Sequence, residues 1–321
     1  MASNPEKYFI ITAGPTGSGK TGLVNVTFAK LGIDEKTEYT KFLIDDLIEN
    51  DAVYKKQIRE IIDNIDKECK TKQEHDCEKN KYINPSSELL TQFNTLYFEV
   101  RDTTGCKEYS DEGANCGLIL DNRLKAIAKM EIKPFIIVFE ITGISIPKWL
   151  LNNDFIPDDY TIIVSYSFVN FTNLLIRNTS RTYKTIIDFK DDTTNTKPAP
   201  RLPDIRPEVF KKKIITIKTI IIELYNKCII THTPTVCGSR KIDRLLIYDN
   251  NSTYTNIFDS SVKPFITTDE FKKILDSSLG HSKIKKTRKN MRKNKSRRRK
   301  NKSRRRKNKS RRRKINLGDV K

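Results

Sequence analysis

A glycine-rich octapeptide near the start of the chain constrains its fold more than any other stretch. Residues Gly14 to Thr21 read Gly-Pro-Thr-Gly-Ser-Gly-Lys-Thr and match the pattern G-x-x-x-x-G-K-[ST] at every fixed position. The apolar, β-rich run Tyr8 to Ala13 precedes it and predicts a buried strand. Residues Thr21 to Leu31 have a helical pattern, followed by Gly32 in a position typical of helix ends. Strand, loop and helix in this order predict a phosphate-binding loop.

The residue types in this loop suit nucleotide phosphates. Gly14, Gly17 and Gly19 permit positive φ, so that successive backbone N–H groups form an anion nest. Lys20 is expected to reach the β- and γ-phosphates of ATP, and the Thr21 hydroxyl is expected to bind Mg²⁺. The predicted nucleotide-binding residues are Gly14, Pro15, Thr16, Gly17, Ser18, Gly19, Lys20 and Thr21.

Further apolar runs predict the rest of a sheet. They are Tyr39 to Ile44, Pro134 to Glu140, Tyr160 to Tyr166 and Asp243 to Asn250. Helical patterns lie between them, whereas Lys70 to Asn84 predicts a polar loop. Strands that alternate with helices predict an α/β fold with a doubly wound, mostly parallel five-stranded sheet of the kinase-like P-loop type.

Carboxylates follow two of the predicted strands. Asp45 and Asp46 come after the second, and Glu140 ends the third, two residues before Thr142. Because ligands bind beyond the carboxyl ends of such strands, these side chains are expected beside the phosphates. One aspartate is expected to accept the proton of a substrate hydroxyl, and one to hold Mg²⁺ through water. Asp46 also suits the cap of the next helix, with Asp45 at the strand end.

Arginines later in the chain are a second set of candidates. Arg177 and Arg181 share one face of a predicted helix. At an ATP site they would stabilise the transferring phosphoryl group, and otherwise they would lie on a solvated face. The Thr-, Pro- and Asp-rich segment from Asp191 to Pro207 predicts a loop that can act as a lid, and it carries Arg201 and Arg206.

The net charge of +21 is concentrated in the last 41 residues, which hold about 23 Lys and Arg side chains and a single acid, Asp319. A kinase-like domain, 1–280, and a basic tail, 281–321, are therefore predicted. The tail repeats the heptapeptide KNKSRRR from residue 293 to residue 313 without an apolar position. It is expected to be disordered and to bind RNA, DNA or an acidic surface without sequence specificity. Import into the nucleus and simple repeat expansion remain alternatives.

Other features indicate an intracellular protein. The first residues lack the apolar segment of a signal peptide, and no run of eighteen apolar residues predicts a membrane span. None of the six cysteines forms a C-x-x-C pair, and free thiols are expected. A cytoplasmic, nuclear or virion-associated location fits this pattern and the tail.

The order of motifs resembles the zeta-toxin-like branch of P-loop kinases. Shared features over about residues 8 to 260 are GPTGSGKT, FLIDD, VFEITG, YTIIVSY, the helix with two arginines, APRLPDIRP and LLIYDN. The resemblance implies an ATP- and Mg²⁺-dependent kinase of a small hydroxyl-bearing acceptor, in bacterial toxins a nucleotide-activated amino sugar. Similar domains with basic repetitive tails occur in large DNA viruses, which suggests a viral origin.

The resemblance also implies roles for individual residues. Asp45 or Asp46 would be the general base, with Thr21 and Asp45 at the metal and Glu140 and Thr142 on the substrate side. The lid arginines would be Arg177, Arg181 or Arg201. The chain departs from the bacterial pattern because Asp46-Leu47-Ile48 stands where an acid–x–arginine motif is expected.

Two other functions are compatible with the sequence. A kinase-like domain that only binds nucleotide could serve a nucleic-acid-binding protein, with the tail as its main contact. Alternatively, the tail could deliver a nucleic-acid end to a polynucleotide kinase site. Salt-sensitive binding without phosphate transfer would indicate the first, and labelling of a 5′-hydroxyl oligonucleotide the second.

Overall fold

The structure, a computed structural model, describes residues 6–72, 76–102, 116–142, 150–262 and 266–278. Its strands are β1 Lys7–Ala13, β2 Thr40–Phe42, β3 Ile136–Ile141, β4 Tyr160–Phe168, β5 Arg244–Asp249 and β6 Thr255–Asp259. Its helices are α1 Lys20–Leu31, α2 Ile44–Asn50, α3 Ala52–Lys72, α4 Cys77–Ile83, α5 Ser87–Asp102, α6 Cys116–Lys129, α7 Phe171–Lys190, α8 Pro207–Leu224, α9 Pro234–Cys237 and α10 Thr268–Ser278. A π-helix, Tyr225–Ile230, follows α8.

The described strands form one sheet in the order β2-β3-β1-β4-β5-β6. The first five are parallel, and β6 pairs antiparallel with β5. A mostly parallel, doubly wound α/β fold is therefore confirmed, but the prediction of five strands is wrong. The sixth strand escaped detection because β6 is a short edge strand whose first three residues are not buried, which leaves little apolar pattern to recognise.

Strand β1 lies at the centre of the sheet, and its residues from Phe9 to Ala13 are buried. It pairs with β3 on one side and β4 on the other. Helix α1 covers one face, where Leu23, Val24 and Phe28 join a buried cluster with Ile10 and the neighbouring strands. The loop between β1 and α1 is therefore fixed at the carboxyl edge of the central strand, as the sequence predicts.

The second strand is shorter than predicted, and this moves the two aspartates. Strand β2 ends at Phe42 and α2 begins at Ile44, with the extended residue Leu43 as its N-cap. Asp45 and Asp46 therefore both lie in the first turn of α2, where the helix dipole favours acidic side chains. The expected arrangement, with Asp45 on the strand and Asp46 as the cap, is wrong.

Among the described residues, two disulfides replace thiols that were expected to be free, and Cys106 lies outside the described residues. Cys69 at the end of α3 bonds to Cys77 at the start of α4, and Cys228 bonds to Cys237; the Cα atoms are 5.5 Å apart in both pairs. The polar loop predicted from Lys70 to Asn84 is also wrong in part, because α3 continues to Lys72 and α4 follows. The buried ring of Tyr82 anchors α4.

The basic tail lies outside the described residues. Its disorder and the domain boundary at residue 280 therefore stay predictions. Among the helices of the described residues, none is both long and apolar enough to cross a lipid bilayer.

Candidate active site

Two glycines of the loop between β1 and α1 adopt conformations that other residues rarely reach. The φ angles of Gly17 and Gly19 are +82° and +88°. A Cβ atom on Gly17 would lie 2.5 Å from Nδ2 of Asn178, and one on Gly19 would lie 2.5 Å from the Tyr254 hydroxyl oxygen. Both glycines are thus required by backbone conformation and by close packing.

The carbonyl and amide groups of this loop have different partners. Side-chain donors take up three of its carbonyl oxygens: Asn178 Nδ2 bonds to Thr16 O (2.8 Å), Ser167 Oγ and Asn250 Nδ2 bond to Ser18 O (2.7 and 2.8 Å), and the Tyr254 hydroxyl bonds to Gly19 O. The amides of Gly17, Gly19 and Lys20, by contrast, donate to no described residue. Such a loop fits a polyphosphate, which needs free N–H donors at a helix N-terminus.

Lys20 meets a carboxylate from the neighbouring strand. Its Nζ lies 3.5 Å from Oε1 of Glu140 at the end of β3, and both side chains are almost completely buried. Burial lowers the pKa of Lys20, and the Glu140 and Asp45 carboxylates oppose that shift. Glu140 therefore lies at the phosphate loop, whereas Thr21 is exposed in the first turn of α1.

The two neighbouring aspartates have different surroundings. The Asp45 side chain is 11% exposed, and its Oδ1 accepts a hydrogen bond from the Tyr97 hydroxyl (2.6 Å) and forms an ion pair with Arg201 Nη1 (2.8 Å). The Asp46 side chain is 56% exposed and pairs with Lys41 at 3.3 Å. Burial and Asp45 raise the pKa of Tyr97, so its hydroxyl stays protonated and donates. Only Asp45 belongs to the interior of the site.

Arg201 joins two carboxylates. Besides Asp45 it contacts Oε1 of Glu49 through Nε at 2.7 Å. Burial lowers the pKa of Arg201, but Asp45 and Glu49 outweigh burial, so that its pKa rises above the ordinary value and it stays charged. The backbone of the segment that carries Arg201 is also hydrogen-bonded to α2, since the Ala199 amide donates to Glu49 O at 2.7 Å. In this conformation the segment predicted as a lid is held against α2 and forms one wall of the site.

A cavity of about 420 Å³ adjoins the phosphate loop. Thr16 of the loop lines it, together with Thr142, Arg181 and Arg201 of the residues predicted from sequence. Arg177 contributes elsewhere, because its Nη2 donates to Asn250 O at 2.8 Å. The structure therefore brings Arg181, Arg201 and Thr142 to the cavity, Lys20 and Glu140 to the loop, and places Asp46 and Arg177 outside the cavity.

Four residues that matter to this geometry were not predicted: Glu49, Tyr97, Asn178 and Tyr254. Glu49 follows Asp45 by four residues, so helical spacing could have placed it on the same face of α2. The other three approach the site from distant parts of the chain and carry no local signal.

Glu49→Gln is expected to remove a pH dependence of stability. Burial raises the pKa of Glu49 to about 7, with Asp45 and Asp46 adding to the shift and Arg201 and Arg181 opposing it. The unfolded carboxyl ionises at lower pH than the folded one, so the wild type loses stability as the pH rises towards 7. The unfolding free energy of the variant, relative to wild type, should therefore increase by about 2 kcal/mol between pH 5 and pH 8.

Urea unfolding of both proteins at the two pH values measures this difference. Glu60→Gln, at an exposed glutamate of α3, is the matched control and should follow the wild type. Equal pH slopes for wild type and Glu49→Gln would contradict the assignment of a raised pKa to Glu49.

Comparisons with known proteins identify no family for the chain. No family model matches the sequence, and no curated protein matches it. Among solved structures, the chain is similar to one from the PezAT chromosomal toxin–antitoxin system of Streptococcus pneumoniae, with 10% identity, a TM-score of 0.43, and coverage of 88% of this chain and 87% of that one.

Proposed function

We propose that the protein is an ATP-dependent phosphotransferase that moves the γ-phosphoryl group to a hydroxyl group of a small acceptor. The observation that carries this proposal is the cavity of about 420 Å³ beside a loop suited to phosphates. Hydrolysis needs room only for water, whereas a cavity of this size accommodates a second substrate. The buried carboxylate of Asp45 supplies a base, since it acts electrostatically on Lys20 and contacts Tyr97 and Arg201 of the cavity lining.

The loop and its neighbours hold the nucleotide in this proposal. The free amides of Gly17, Gly19 and Lys20 bind phosphate oxygens, and the Lys20 ammonium neutralises their charge. Thr21 and Glu140 fit Mg²⁺, which prefers oxygen ligands and neutralises phosphate charge when bound. Glu140 suits this role better than Asp45, because Oδ1 of Asp45 is shared by Tyr97 and Arg201 at 2.6 and 2.8 Å, whereas Oε1 of Glu140 pairs with Lys20 at the longer distance of 3.5 Å.

Asp45 is the general base in this reaction. The acceptor hydroxyl oxygen attacks the γ-phosphorus, and its proton passes to Asp45 as the bond to the bridging oxygen of ADP breaks. Oδ1 of Asp45 is held by Tyr97 and Arg201, while Oδ2 makes no hydrogen bond to described residues and is left for the proton. Asp46, turned towards Lys41, takes no part.

Arg181 is the arginine proposed for the transferring phosphoryl group. It is exposed at the cavity and makes no hydrogen bond or ion pair with described residues. Arg201 is committed to its two carboxylates, and Arg177 to the Asn250 carbonyl. A free guanidinium at the cavity is suited to stabilise charge that develops during transfer.

The lining of the cavity favours an acceptor that is both anionic and partly apolar, such as a nucleotide sugar. Aromatic rings of α5, including Tyr97 and Phe98, form one wall, and the Arg101 guanidinium lies 4.6 Å from the centre of the Phe98 ring. Arg181 and Lys213 add positive charge, whereas Arg101 is paired with Asp102 at 2.6 Å. A ring can stack on such a wall while the cations attract phosphates.

An acceptor screen tests the proposal. Wild-type protein is incubated with ATP labelled in the γ-phosphate and with sugars, nucleosides, nucleotide sugars and 5′-hydroxyl oligonucleotides. Label is expected on a small hydroxyl compound. Labelling of the oligonucleotide alone would favour a polynucleotide kinase instead, and labelling of nothing, with ATP bound, would favour a domain that only binds nucleotide.

For the tail we propose polyanion binding as a second function, on the strength of its charge. Residues 281–321 carry one acid among their many Lys and Arg side chains. Binding of RNA or DNA should be sensitive to salt and should be lost on truncation after Gly280. A truncated protein that binds nucleic acid as tightly as the full chain would contradict this proposal.

A further inference from the structure

Tyr254 reaches the phosphate loop from the segment between β5 and β6. Its hydroxyl donates to Gly19 O, the carbonyl at the junction of loop and helix α1. The same oxygen accepts from the Leu23 amide at 3.2 Å. Burial raises the pKa of Tyr254, so its hydroxyl stays protonated and remains a donor.

Two glycines make room for this hydroxyl. A Cβ on Gly19 would lie 2.5 Å from the Tyr254 oxygen, and a Cβ on Gly22 would lie 2.9 Å from it. Gly22 is not part of the phosphate-loop pattern, and a glycine inside a helix is unfavourable by about 1 kcal/mol relative to alanine. The close approach of Tyr254 explains why a glycine, rather than a residue with a side chain, occupies position 22.

Asn178 holds the other side of the loop. Its side chain is buried on α7, and Nδ2 donates both to Thr16 O and to Leu174 O at 2.8 Å. Because both neighbours are carbonyl acceptors, the nitrogen of the carboxamide must face them. The carboxamide also packs against Gly17, which has a positive φ and where a Cβ atom would lie 2.5 Å from Nδ2.

We propose that Tyr254 and Asn178 are positioning residues for phosphate binding: by fixing the carbonyls of Gly19 and Thr16, they keep the amides of the loop free for the phosphates. A peptide plane whose oxygen is held on one side directs its N–H to the other. This inference rests on the proposed function, in that the loop is taken to bind ATP. Neither side chain needs to touch the nucleotide.

Tyr254→Phe and Asn178→Leu test the inference, because each removes a donor while keeping most of the side-chain volume. Binding of ATP and of inorganic tripolyphosphate, each with Mg²⁺, is measured by calorimetry on the full chain. Each variant is expected to lower the affinity for both ligands by the same factor, about tenfold, because the contacts that are lost are those to the phosphates. If the two side chains only fill space, both variants bind as the wild type does, and the inference is wrong.

Controls separate this inference from the proposed function. Tyr248→Phe removes a similar bond, from the Tyr248 hydroxyl to Val26 O at 3.3 Å, and should bind both ligands as the wild type does. Lys20→Ala tests the loop itself. If Lys20→Ala no longer binds ATP but Tyr254→Phe and Asn178→Leu bind it as the wild type does, only the inference fails. If Lys20→Ala binds ATP normally, the proposed function fails. Thermal melting of each variant confirms that it is folded.

Discussion

Replacing Lys20 by alanine is expected to reduce kcat/KM for ATP-dependent phosphoryl transfer by about 10³-fold or more, while the chain still folds. The Lys20 ammonium is almost completely buried at the phosphate loop, beside Glu140. Its loss leaves the charge of the γ-phosphate uncompensated, and it also leaves Glu140 without its cation. Steady-state kinetics with labelled ATP measures the loss, and a cooperative thermal transition shows that the fold survives.

Lys7→Ala is the matched control for this variant. Lys7 lies at the opposite end of the same strand β1 and pairs with Asp159 at 2.7 Å. It should transfer phosphate at the wild-type rate, because the lost pair is far from the loop. Transfer by Lys20→Ala at the rate of Lys7→Ala would refute the assignment of the loop as the ATP site.

Asp45→Asn is expected to lower kcat by about 10³-fold and to leave the affinity for ATP within a few-fold of wild type. The carboxamide oxygen can still accept the hydrogen bond from the Tyr97 hydroxyl, and Arg201 keeps its ion pair with Glu49, so the local structure is expected to be preserved. The carboxamide cannot take the proton of the acceptor hydroxyl at neutral pH. Initial rates at saturating ATP, together with direct ATP binding, separate the two effects.

The neighbouring residue supplies the control for Asp45. Asp46→Asn makes the same chemical change one residue later, at a side chain that is turned to solvent and to Lys41. It should keep nearly full activity. A loss in Asp46→Asn equal to that in Asp45→Asn would mean that both carboxylates act in the reaction, against the geometry of α2.

The sequence predicts the loop well because every part of that prediction is local. A buried strand, three glycines and a helix follow one another between Tyr8 and Leu31, so no distant contact is needed to recognise them. The choice between Asp45 and Asp46 could not be made in this way. It depends on the residue at which α2 begins, and a shift of one residue turns a helix by about 100°, enough to exchange a buried side chain for an exposed one.

The roles of the arginines depend on partners that the sequence does not reveal. Arg201 was expected to act on the phosphoryl group, yet it is bound by Asp45 and Glu49, more than 150 residues earlier. Arg177 is likewise held by the carbonyl of Asn250. A guanidinium is drawn to whichever carboxylate or carbonyl the fold brings near it, and only the packed structure shows that Arg181 is left exposed at the cavity.

The same limit applies to the residues that support the loop. Asn178 and Tyr254 lie more than 150 residues after the loop carbonyls that they hold. Neither residue belongs to a sequence motif, and the residues next to each of them in the sequence do not single it out. Their importance arises from the order of the sheet, which places β4 beside β1 and β5 beside β4 and so brings the segments that follow these two strands to the loop.

The fate of the γ-phosphate of labelled ATP tests the central claim most directly. Wild-type protein with Mg²⁺ and hydroxyl acceptors is predicted to transfer the label to an acceptor, and Asp45→Asn is predicted to bind ATP without doing so. Release of all label as inorganic phosphate, at the same rate with and without acceptors and in both proteins, would contradict it.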